Sequence, residues 1–218
     1  VRDRDPGLWL ISAGVVLVLL VASAVGPYGY FIDEFYYLAC ARRPALGYVD
    51  HPPLAPLLLA AVRAVAGESI LALRILPALA AGAAVLTTGT LARDCGGGPF
   101  AVRLAALCVA CMPVTMVVGS FYSMNAFDLL FWALIAWLLV RVLSGGSERL
   151  WLAFGAVAGV GLLNKVSILY LGFGLAVGLV LARRWDVFRS RLFWAGGLLA
   201  LAIFLLNNGR PEPSAPFT

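Results

Sequence analysis

Charge is scarce in this chain. Only 12% of its 218 residues are Asp, Glu, Lys or Arg, about half the share of a soluble domain. With 62% apolar residues and a mean hydropathy of +0.96, that shortage excludes an ordinary soluble domain and points to a multi-span, all-α integral membrane protein. Histidine and lysine each occur once, as His51 and Lys165, so a multi-histidine zinc site is excluded. Four cysteines without even spacing exclude a disulfide framework. Cys108 and Cys111, three apart in an apolar stretch, read as small buried thiols. No lysine and Ser/Thr follow Gly96-Gly97-Gly98, which excludes a P-loop. The net charge of +5 comes from arginines dispersed between apolar segments. They read as topology signals facing anionic headgroups, with no nucleic acid as partner.

Apolar segments of near-spanning length run over 8–25, 70–92, 101–118, 125–143, 151–164, 167–182 and 192–206. That predicts a bundle of about seven spans over 1–206, followed by a disordered or truncated tail, 207–218. The first segment reads as a retained span and not a signal peptide. Both chain ends look like those of a fragment. One helix through 150–182 would be ~50 Å long, so a break is expected near Lys165. Placing the N-terminus in the cytoplasm puts most arginines inside, among them Arg93, Arg103, Arg141 and the 183–191 group. The 26–67 loop, residues 120–125 and Lys165 then share the outer face.

The 26–67 loop holds most of the chemistry-competent side chains. Asp33 and Glu34 are adjacent carboxylates just after a span, where an ionised group needs water, a partner or a cation. One suits a general base, the other an orienting group or metal ligand. A helix N-terminus, which favours acidic side chains, accounts for them equally well. The spacing predicts a short helix over Ile32–Arg42 and an amphipathic one over 52–66, with Asp50 as its cap and Pro52 and Pro53 in its first turn. His51 suits a metal ligand or proton carrier, although a lone histidine is more often structural, here in a capped turn that starts a helix. Asn125 and Asp128 read as an N-cap and its acidic partner, with metal or sugar binding by Asp128 as the alternative. Lys165 and Arg74 suit a phosphate, or interfacial snorkelling. Tyr30, Phe31 and Tyr36 can line a sugar or prenyl chain, or anchor the interface. Gly155 with Gly159, and Gly174 with Gly178, are close-approach pairs for helix packing.

These motifs together resemble a known family. Tyr-Gly-Tyr-Phe-Ile-Asp-Glu-x-Tyr-Tyr, Gly-Tyr-Val-Asp-His-Pro-Pro-Leu, Phe-Tyr-Ser-Met-Asn-Ala-Phe-Asp and Gly-Leu-Leu-Asn-Lys, in this order, are similar to the bacterial branch of the protein O-mannosyltransferases. That branch is related to the aminoarabinose transferase that modifies lipid A. The resemblance implies a GT-C-like helical bundle in the cytoplasmic membrane, with its active site on the outer face. It implies an inverting sugar transfer from a polyprenyl-phosphate donor to a hydroxyl-bearing acceptor. Asp33 matches the candidate base and Glu34 its neighbour; Asp128 matches the second acidic position and Lys165 a lysine near the donor phosphate. His51 matches the histidine of the HPP run. A divalent cation near Glu34 and His51 is a further expectation. Relatives have eleven or more spans, so activity is expected of a longer parent and need not reside in this chain alone. A transporter or flippase would share the broken helix near Lys165, although no internal repeat or mid-span charged pair is visible. A purely structural subunit is a third reading.

Overall fold

The structure, a computed structural model, describes residues 5–48 and 51–208, the last three as backbone only. Asp50, expected to cap a helix, lies outside the described residues, as does 209–218. Among the described residues are eleven helices and no strand: α1 (Pro6–Val25), α2 (Ile32–Arg42), α3 (Leu54–Ala66), α4 (Ile70–Asp94), α5 (Pro99–Cys111), α6 (Pro113–Ser120), α7 (Met124–Leu143), α8 (Leu150–Leu162), α9 (Ser167–Leu181), α10 (Trp185–Arg189) and α11 (Arg191–Asn208). This is a helical membrane bundle. Helices α1, α4 and α7 are each long and apolar enough to cross a bilayer.

Local chemistry sets the boundaries. Asp5 caps α1 by accepting from the Gly7 amide at 2.9 Å, and Pro6 needs no partner for a missing N–H. Ser69 caps α4 by accepting from Ala72 at 3.2 Å. Two expectations are corrected: the cap of α7 is Ser123, not Asn125, with Asp128 beyond the capping turn, and α3 starts at Leu54 with Pro53 as its N-cap, so Pro52 and Pro53 precede its first turn. The expected single span 101–118 is bent by 58° between α5 and α6. Pro113 forces the preceding Met112 into extended backbone and withholds a donor, which is enough to turn the chain.

Helix α4 forms the centre, buried along most of its length by small residues that admit close neighbours. It runs antiparallel to α1: Leu8 packs on Gly89, and Ser12 donates to the Gly82 carbonyl at 2.7 Å. It runs parallel to α7, since Arg74 lies beside Tyr122 and Asp94 accepts from Trp137 at 3.0 Å. Behind α7, α8 and α11 pack in parallel through Gly155 and Gly196, whose backbones would meet any side chain placed between them. Gly159 packs in the same seam, against Ala200 and Ile203. Gly174 and Gly178 have open space around them and serve no such contact. Cys108 and Cys111 are exposed, not buried, because α5 turns Val102, Ala106 and Ala110 to the core instead.

Candidate active site at one end of the bundle

The turn between α6 and α7, with the first turns of α7, gathers the site. Tyr122 is fully buried there; its amide donates to Glu34 Oε1 at 3.0 Å and its hydroxyl to the Ala55 carbonyl at 2.6 Å. The Met124 amide donates to the Tyr37 hydroxyl at 3.3 Å, and the Met124 carbonyl accepts from Asn164 Nδ2 at 2.9 Å. Lys165 Nζ donates to Asn125 Oδ1 at 2.8 Å and stands 3.7 Å from Asp128 Oδ2. Asp128 Oδ1 accepts from Ser167 at 2.6 Å. Four segments distant in sequence (α2, α3, the start of α7 and the α8–α9 break) therefore meet around residues 122–128.

The two adjacent carboxylates have opposite environments. Glu34 is fully buried. Its Oε1 accepts from Arg74 Nε at 2.9 Å and from Tyr122; its Oε2 accepts from Arg74 Nη2 at 2.8 Å and from the Phe31 amide at 2.8 Å. A carboxylate offers about four lone-pair positions. All are used here, which leaves none for a cation or an acceptor proton. Arg74 also donates to the Gly29 carbonyl at 2.9 Å, so this guanidinium is committed to the protein. Asp33, in the first turn of α2, is half-buried and has no hydrogen bond or ion pair among the described residues.

His51 is buried in a box of tyrosines. The rings of Tyr36, Tyr37 and Tyr48 lie 5.4, 5.3 and 5.1 Å from its own. Its Nδ1 lies 2.9 Å from the Pro52 carbonyl, and since a carbonyl only accepts, Nδ1 carries the donated proton. Nε2 is buried without a partner among the described residues. The expected cluster of Tyr30, Phe31 and Tyr36 is divided. Tyr36 belongs to the histidine box, whereas Tyr30 and Phe31 line a cavity of about 470 Å³ with Arg74 and Phe121. Among the described residues no three His, Cys, Asp or Glu side chains are placed to hold a metal ion. Glu34, with all its lone pairs used, has none to offer the divalent cation expected near Glu34 and His51.

Glu68 ties the loop between α1 and α4 together. It accepts from Arg42 Nη2 at 2.6 Å and Arg63 Nε at 2.7 Å, and its carbonyl accepts from Tyr30 at 2.5 Å. The two guanidiniums pull its carboxyl down to about 2. Burial pushes the Tyr122 phenol up, so it remains a donor to Ala55. Sequence reasoning missed Tyr122, Asn164 and Ser167. Tyr122 and Asn164 lay inside noticed motifs but carried no charge to mark them.

Residues 50–207 match the family model described as dolichyl-phosphate-mannose-protein mannosyltransferase. Neither the curated proteins nor the solved structures yield a match. The matched stretch contains His51, Arg74, Asp128 and Lys165. Helix α2, with Asp33 and Glu34, precedes it and is joined to it through the bonds of Glu34 to Arg74 and Tyr122.

Proposed function

The chain belongs to the dolichyl-phosphate-mannose-protein mannosyltransferase family, and from that premise we propose a specific reaction for the site at the α7 end of the bundle. A sugar passes from a polyprenyl-phosphate donor to a hydroxyl of a protein, lipid or glycan acceptor on the outer face of the cytoplasmic membrane. The observation that carries this reading is the convergence of α2, α3 and the α8–α9 break on residues 122–128.

In the proposed step the acceptor oxygen bonds to the anomeric carbon while the bond from that carbon to the phosphate oxygen breaks. Direct displacement inverts the anomeric centre. The phosphate leaves with the bonding electron pair, and its growing negative charge meets the ammonium of Lys165. Lys165 is about a third exposed and faces one carboxylate, Asp128, at 3.7 Å, so it retains donor capacity. The acceptor proton goes to Asp33, the adjacent carboxylate that has no hydrogen bond or ion pair among the described residues. Glu34 holds α2 in place through Arg74 and does not itself react. His51 supports α2 and α3 from within its tyrosine box. No step is assigned to a metal ion.

The outward orientation rests on the distribution of arginines, most of which lie at the opposite end of the helices. The break at Lys165 suits a transporter too, but it lies at the end of the bundle, bonded to a helix start, and not at mid-span.

The test is transfer of labelled sugar from a polyprenyl-phosphate donor in membranes carrying the full-length parent. Asp33→Asn should lower kcat by about 10²- to 10⁴-fold, the range for a lost general base, at unchanged protein level. Equal turnover by Asp33→Asn and the unaltered protein would remove Asp33 as the base.

A further inference from the structure

At the opposite end of the bundle a cavity of about 340 Å³ lies between the start of α1, the end of α4 and the start of α5. Two guanidiniums line it. That of Arg103 is held in place: its Nε stands 3.1 and 3.2 Å from the two Asp5 oxygens, and its Nη2 3.1 Å from Oδ1. The Arg103 side chain lies across the first turn of α1 at Gly7, where a Cβ would come within 2.6 Å of Nε. Any larger residue at position 7 would displace it. Arg93, in the last turn of α4, lines the same cavity and has no hydrogen bond or ion pair among the described residues.

Among the described residues that line the cavity, one carboxylate, Asp5, stands with two arginines, and Arg103 holds the Asp5 carboxyl below its usual range. A lone arginine at the end of a span is ordinary. Here a second arginine, its guanidinium held on Asp5, lines the same concavity, and paired planar donors suit the oxygens of a phosphate. Gly97 and Pro99 complete the rim, and the neighbouring Phe100 is 79% exposed at the start of α5, an apolar surface suited to acyl chains.

We propose that this cavity binds a phosphate group, with Arg93 and Arg103 both donating to its oxygens. The phosphate is carried by an anionic phospholipid headgroup or is free in solution. The site is independent of the transfer reaction proposed above.

The test uses the full chain in nanodiscs of phosphatidylcholine, alone or with one phosphatidylglycerol in five lipids, and native mass spectrometry of retained lipid. The unaltered protein should retain phosphatidylglycerol preferentially. Arg93→Gln should weaken that retention roughly tenfold, since charge-assisted bidentate bonds are lost. Arg93 makes no hydrogen bond or ion pair among the described residues, so this variant should fold. Gly7→Val should give a similar loss without removing a charge, by displacing Arg103. Arg149→Gln, an exposed arginine at the same end, should retain the lipid unchanged. A parallel arm adds inorganic phosphate to phosphatidylcholine discs and reads thermal stability. A phosphate-induced shift that Arg93→Gln abolishes, without lipid preference, supports the site and assigns it to free phosphate. Equal phosphatidylglycerol retention by Arg93→Gln and the unaltered protein, or neither lipid preference nor phosphate shift, would overturn the proposal.

Discussion

The amide of Leu54 donates to the carbonyl of Leu163 at 2.9 Å. One hydrogen bond thus joins the start of α3, in the first long loop, to the break between α8 and α9, more than a hundred residues later. It places the loop and Lys165 at the same end of the bundle. Asn164 adds a second tie there through Met124.

Glu34 and Arg74 form a buried ion pair, so removing one partner strands the other. Glu34→Gln should destabilise the protein by about 3–5 kcal/mol, seen as a lower thermal midpoint in detergent. Replacing both by apolar residues should recover part of that loss. A Glu34→Gln variant as stable as the original, yet inactive, would instead assign Glu34 to the chemistry.

Lys165→Met should lower kcat/KM for the lipid-linked donor by about 10²-fold, with Lys165→Arg restoring part of it because the charge returns. The comparison is steady-state transfer with donor concentration varied. Unchanged donor kinetics in Lys165→Met would remove the phosphate role.

Glu68 links stability to pH. Its folded carboxyl sits near 2, lowered by Arg42 and Arg63 from an ordinary value of 4.5. Its contribution is therefore complete above about 4.5 and is lost as pH falls from there towards 2. Limited proteolysis of the loop between α2 and α4 should accelerate over that window, and Glu68→Gln should make cleavage fast and pH-independent there. A profile identical in the two proteins would show that Glu68 does not hold the loop.

Gly155 meets the Gly196 backbone without room for a side chain. Gly155→Val should part α8 from α11 and destabilise by about 1–3 kcal/mol or more, whereas Gly174→Val, in open space, should cost far less. Equal thermal midpoints for both variants would contradict the close seam.

Composition and segment length were enough to establish a helical membrane protein, because apolar runs with so few charges have no other stable setting. They also located the break near Lys165, since a helix through 150–182 is longer than the hydrocarbon core is thick. The prolines and acidic residues of the first loop marked α3 and α2, although α3 starts at Leu54, just after the prolines expected in its first turn. Cap identity was less legible. Ser123 and Asn125 are both good caps, and the structure selects Ser123, which accepts from the Asn125 amide at 3.3 Å while Lys165 engages the Asn125 side chain.

Which carboxylate is free and which is locked was decided by tertiary structure alone. Asp33 and Glu34 are neighbours with the same charge, and no local pattern separates them. Helical geometry turns successive side chains to different faces, and α2, packed on α3, which in turn packs on α4, brings Glu34 beside Arg74, forty residues away. Burial then enforces the pairing, because an ionised carboxylate without partners is too costly inside the protein.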